Sequence, residues 1–126
     1  MLVDDNKDDN FYHERVIRKA DMANIVISKE SGMEALAYLR EQKDNKIAHP
    51  DLIFLDINMP GMDGWEFLEE YSKLDKEQQC HIVVVMLTTS QNPDDTAKAK
   101  TKNMIADFKT KPLTKEMLSE IIDEYF

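Results

Sequence analysis

The chain has 126 residues, room for one domain with one buried core. A hydrophobic share of 42% with 33% charged residues excludes a disordered chain, and a net charge of −9 disfavours nucleic acid and anionic membrane as partners. The single cysteine, Cys80, excludes an internal disulfide and leaves no thiol set for zinc.

The first element is the apolar stub "MLV", which ends at Asp4-Asp5. In "DDNFYHERVIRKADM", Tyr12, Val16, Ile17 and Ala20 recur at helical spacing behind Asp8, Asp9 and Asn10, three N-cap candidates. "ANIVIS" reads as a compact β-branched strand, and "SGMEALAYLREQKD" places Met33, Leu36, Ala37 and Leu39-Arg40 on a helix begun by Ser31. "DLIFLD" is a fully apolar strand after Pro50. "DGWEFLEEYSKLD" repeats the helical period through Trp65, Leu68 and Tyr71, and "HIVVVMLTT" is the most strand-like run. A helix follows Pro93, "IADFKTK" is a strand stopped by Pro112, and a last helix capped by Thr114 turns Met117, Leu118, Ile121 and Ile122 inward. No apolar run approaches the ~20 residues of a membrane span. The acidic start has no signal-peptide core, so a cytoplasmic location is expected.

The predicted order is βα five times. Strands that are apolar throughout are buried on both faces, and strands alternating with helices give right-handed crossovers and a parallel sheet. The expected fold is an α/β, doubly wound five-stranded sheet with helices on both faces, one domain over residues 1–126.

Ligands of such sheets bind beyond the carboxyl ends of the strands. Those ends carry Asp4-Asp5, Asp56, Thr88-Thr89 and Lys111-Pro112. If strands 1 and 3 are neighbours, three carboxylates meet there, beside a hydroxyl and an ammonium. Three close carboxylates repel one another, and a hard, oxygen-loving dication such as Mg²⁺ resolves the repulsion. A carboxylate beside Mg²⁺ is competent to attack phosphorus, with Lys111 and the metal neutralising phosphoryl charge and Thr88 donating to the same group. Each residue alone has a plainer reading: Asp4, Asp5 and Asp56 as helix or turn caps, Thr88 as strand packing, Lys111 as a surface lysine. Their joint placement at successive strand ends carries the argument.

These stretches, "LVDDN", "LIFLDINMPGMDG", "VVVMLTTS" and "TKPLT", resemble the receiver domain of two-component response regulators, of the single-domain chemotaxis type, and the resemblance runs over the whole chain. It implies the flavodoxin-like strand order 2-1-3-4-5 and makes Asp56 the phosphoacceptor. It further implies that Asp4, Asp5, Asp56 and the backbone carbonyl of Asn58 hold Mg²⁺, that Thr88 and Lys111 touch the phosphoryl group, and that Phe108 is the aromatic switch. The implied partners are a sensor histidine kinase or histidine phosphotransfer protein, and a downstream protein on the face of helix 4, strand 5 and helix 5. The chain departs from the family in its short first strand, in Lys102-Asn103-Met104 where glycine is usual, and in Phe rather than Tyr at 108.

The expected function is a phospho-accepting signalling switch, not an enzyme acting on other molecules, although it assists its own phosphorylation and dephosphorylation. The alternative is a phosphate-independent interaction module. A haloacid-dehalogenase-like hydrolase would need an acid two residues after Asp56, where Asn58 stands, and neither glycine-rich nucleotide loop is present. From Thr96 to Lys115 there are six lysines (98, 100, 102, 109, 111 and 115) against Asp107 alone, either a solvated surface or a docking face for an acidic partner. His13, His49 and His81 read as scattered, Cys80 as inert, Trp65 as packing on the sheet and the eight methionines as core filler.

Overall fold

The computed structural model describes residues 1–23, 25–41, 49–74, 82–89, 92–102 and 104–126, and among these residues five parallel strands alternate with five helices. The elements are β1 (Leu2–Val3), α1 (Lys7–Ala20), β2 (Ser28–Lys29), α2 (Gly32–Glu41), β3 (Leu52–Leu55), α3 (Gly64–Ser72), β4 (Val83–Thr88), α4 (Pro93–Lys100), β5 (Ile105–Thr110) and α5 (Lys115–Tyr125). The sheet order is β2-β1-β3-β4-β5, the doubly wound order implied by the family resemblance. Cys80, His81 and Asn103 lie outside the described residues.

Side-chain alternation along the three central strands makes two cores. Val3, Ile53, Leu55, Val84 and Met86 point to one face and pack with Leu36, Leu39, Phe67 and Leu68 of α2 and α3. Leu2, Phe54, Val85 and Leu87 point to the other and pack with Ile17 of α1 and Leu118 and Ile121 of α5. This two-sided burial is why the strands read as unbroken apolar runs.

Local signals set the helix starts. Asn6 caps α1 by accepting from the N–H groups of Asp8 and Asp9, and Ser31 Oγ accepts from the Glu34 N–H. Asp63 and Glu66 form a capping box on α3. Asn92 caps α4 ahead of Pro93, and Thr114 caps α5.

Several expectations are corrected. The α1 cap is Asn6 rather than Asp8, Asp9 or Asn10, and the inward stripe is Asn10, His13 and Ile17, with Tyr12 turned to solvent. The difference is one residue of helical phase. β2 is only Ser28–Lys29, because the two-residue β1 beside it offers only Leu2 and Val3 as ladder partners. Met22 and Met33 are exposed, whereas Met59 and Met86 do fill the core.

Candidate functional site

Val3 and Leu55 sit side by side in the sheet, opposite in register, so the residues that follow them, Asp4 and Asp56, leave the same edge together. The Asp56 N–H donates to the Val3 carbonyl, which continues the ladder to the first residue past β3. Asp4 is fixed from three sides. Its Oδ1 accepts from the Asn6 N–H at 3.0 Å, its Oδ2 accepts from Lys111 Nζ at 2.5 Å, and its backbone carbonyl accepts from the buried Asn10 amide at 2.8 Å. Asp5 stands beside them in solvent.

The loop that leaves Asp56 must return at once to start α3. Gly61 takes it through a left-handed turn at φ +79°. Gly64 then lies so close that an added Cβ would stand 2.6 Å from the Asp56 carbonyl oxygen and 2.9 Å from Ile57 Cα. Of the "PGMDG" run, Gly61 is therefore required by its backbone angle and Gly64 by the close approach of α3 to the acidic strand end.

Lys111 arrives from the far side of the sheet. Its N–H donates to the Thr88 carbonyl at 2.6 Å, extending the β4–β5 pairing past Thr110. The Lys111–Pro112 peptide is cis. The ammonium meets Asp4, Asp9 at 2.9 Å and Asp56 Oδ1 at 3.5 Å. Burial pulls the Lys111 pKa down, but the bonds to Asp4 and Asp9 and the charge of Asp56 outweigh it and leave it raised. Asp56 is pushed up to about 6 by burial and by the charge of Asp4, with Lys111 opposing and Asp5 adding to the rise.

Asp4, Asp5 and Asp56 each bring one carboxylate oxygen within 4.8 Å of the others. Three acidic oxygens at that spacing, one on an exposed side chain, fit a hard dication such as Mg²⁺, which would offset the burial and the neighbouring acid charges that raise the Asp56 pKa.

A family model described as response regulator receiver domain matches residues 1–123. The chain belongs to that family. Receiver structures share the fold: a two-component response regulator from Cytophaga hutchinsonii is 30% identical with a TM-score of 0.90, the match covering 98% of this chain and 92% of that one. A response regulator receiver protein from Dyadobacter fermentans is 29% identical with a TM-score of 0.87, covering 99% and 94%. The response regulator Rcp1 of Synechocystis sp. is 35% identical over 96 residues, 75% of this chain and 64% of that protein's length. Among the described residues no helix is long and apolar enough to cross a membrane.

Of the residues singled out in the sequence of this receiver domain, Asp4, Asp5, Asp56 and Lys111 meet directly. Thr88 is fully buried at the end of β4 and joins through its backbone. Asn58 follows Asp56 by two residues and is exposed. Phe108 lies on β5 opposite Met86, half-buried against the α2/α3 core.

Three of the run's six lysines have different partners. Lys111 is drawn into the site, Lys109 pairs with Asp107 at 3.4 Å, and Lys98 lies over the Trp65 ring. Trp65 itself is half-buried and, beyond packing against the core, donates to Asp95 on α4 at 3.1 Å. Three residues at the site went unrecognised as such in the sequence: Asp9, Asn10 and His13. Burial and the charge of Lys111 hold the His13 pKa low, against Asp9 and Asp4. The signal that could have found them is the polar pair Asn10 and His13 in helical phase with Ile17.

Proposed function

We propose that residues 1–126 act as a receiver whose Asp56 accepts a phosphoryl group from a phosphohistidine of a sensor kinase or phosphotransfer protein. One observation carries this reading: Asp56, buried at a strand tip, stands within a carboxylate trio and 3.5 Å from the Lys111 ammonium. An Asp56 carboxylate oxygen attacks phosphorus in line, a P–O bond forms, the P–N bond to the donor imidazole breaks, and the imidazole leaves with the bond's electron pair. Asp4, Asp5, Asp56 and the Asn58 carbonyl would hold Mg²⁺, which supplies charge neutralisation at the phosphoryl oxygens when bound. Lys111 donates to a phosphoryl oxygen, and Thr88 donates to another. Hydrolysis of the acyl phosphate resets the site, so the domain assists its own phosphorylation and dephosphorylation and acts on no other substrate.

Phosphorylation then changes how a downstream protein is bound on the face of α4, β5 and α5, with Thr88 and Phe108 coupling site to surface. Tyr125 Oη, which donates to the Ala106 carbonyl at 2.7 Å, ties α5 to β5 within that face.

The test is intact mass after incubation with acetyl phosphate. The wild type is expected to gain one phosphoryl group with Mg²⁺ and none in excess EDTA, and Asp56→Asn none in either. Equal phosphorylation of the variant overturns the assignment of Asp56.

A further inference from the structure

Lys111 is tied to one more carboxylate than phosphoryl chemistry at Asp56 needs. An ammonium has three N–H donors. Its two short contacts here are Asp4 Oδ2 at 2.5 Å and Asp9 Oδ2 at 2.9 Å, while Asp56 Oδ1 stands off at 3.5 Å. Asp9 is not at a strand end, and its oxygens are not among the three that converge for a cation. It belongs to the first turn of α1, where an acid favours the helix dipole. The neighbouring Asp8 already does that from solvent, whereas Asp9 bends inward to the lysine.

We propose that Asp9 is a positioning residue, a latch that holds the Lys111 ammonium off Asp56 and so sets how tightly the site keeps a phosphoryl group. This rests on Asp56 being the phosphoacceptor. A phosphoryl group on Asp56 brings new anionic oxygens to the same ammonium, whose third N–H can meet one of them; turning a second N–H to the group requires one existing bond to give way. Asp4 cannot easily be released: its side chain is only 6% exposed and is also held by the Asn6 N–H. Asp9, 35% exposed, regains water when the lysine leaves it. The Asp9 charge also repels an incoming phosphoryl dianion. Removing that charge while keeping the side chain's shape should let Lys111 serve the phosphoryl group alone.

The experiment is calorimetric titration with fluoroberyllate, a phosphoryl mimic, in Mg²⁺, on wild type, Asp9→Asn and Asp9→Glu. Asp9→Asn is expected to bind about three- to tenfold tighter, the scale of losing one partly exposed charge-assisted contact. Asp9→Glu, which restores the charge, moves the affinity back toward wild type. A purely structural role in α1 would lower the thermal stability of Asp9→Asn and leave its affinity unchanged. Wild type that fails to bind at all takes down the phosphoacceptor reading and the latch with it. Wild type that binds, with Asp9→Asn equal or weaker, overturns the latch alone.

Discussion

β3 with β4 and β5 with α4 are built to different standards. Ile53, Leu55 and Val84 through Leu87 are almost wholly removed from water, whereas every residue of β5 is only half-buried and α4 fully buries Ala99 alone. The acidic site hangs from the first group through Asp56, with Asp4 leaving the neighbouring β1 beside it. Phe108, the proposed coupling residue, and the proposed docking face belong to the second. A site that must hold three carboxylates within a few ångströms of each other needs a support that does not yield. A surface meant to differ between two states needs contacts cheap enough to exchange.

Core truncation gives the largest expected contrast. Leu55→Ala, beneath Asp56, should lower unfolding free energy by about 2–5 kcal/mol, as for a fully buried leucine. Ile105→Ala, half-buried at the start of β5, should cost about 1–2 kcal/mol. Chemical denaturation of both variants checks it. Equal losses would erase the distinction between the two regions.

The charge of the site comes next. Asp56 has a higher pKa folded than unfolded, so between pH ~4 and ~6 the folded state holds more protons and stability falls as pH rises through that window. In EDTA, metal-free protein should therefore be more stable at pH 5 than at pH 7.5. Asp56→Asn should remove most of this dependence and gain up to about 2–3 kcal/mol at pH 7.5. Mg²⁺ at pH 7.5 should stabilise wild type more than the variant. A pH profile unchanged in Asp56→Asn would show that the strain lies with other groups.

Phe108 tests whether the two regions communicate. Because it is already half-buried, an inward move gains only part of the ~1.5–3 kcal/mol of a fully exposed phenylalanine, still near the ~1.4 kcal/mol of a tenfold population shift. With Mg²⁺ and fluoroberyllate, amide exchange in α4 and β5 should change in wild type. Phe108→Ala should bind the mimic yet lose most of that change. The same change in both proteins would move the coupling to another residue.

The strand ends were legible in the sequence because they rest on strong, local regularities. Unbroken apolar runs stop at Asp56 and Thr88, and cis Pro112 and Gly64 punctuate the returns. The α1 contribution was not legible, because it depends on one residue of helical phase. Tyr12, Val16 and Ile17 look like a stripe, but the sheet selects Asn10, His13 and Ile17. Nor does a lysine count say where each lysine points. Lys111 left the surface because its backbone pairs with Thr88 and its ammonium finds three acids, two of them, Asp4 and Asp9, more than a hundred positions away in the chain.

The smallest expected effect concerns the tie between α3 and α4. The chain's one tryptophan, Trp65, donates from its indole to Asp95 at 3.1 Å, and Lys98 lies 4.9 Å from the ring centroid. With Ala99 as its one buried residue, α4 has this clasp as an added tie to α3. A hydrogen bond of this kind contributes about 0.5–1.5 kcal/mol net, and a cation–π contact at such an exposed site about 0.5–1 kcal/mol. Asp95→Ala removes the first and weakens the second, so global stability should fall by about 1 kcal/mol or less. Trp65 emission should shift to the red as the indole gains water. Amide exchange should quicken in α4 and remain unchanged in β1 and β3, where the acidic site is anchored. A global loss as large as that of Leu55→Ala would mean that α4 is part of the rigid support, and the proposed exchange of contacts on that face would have no element free to make it.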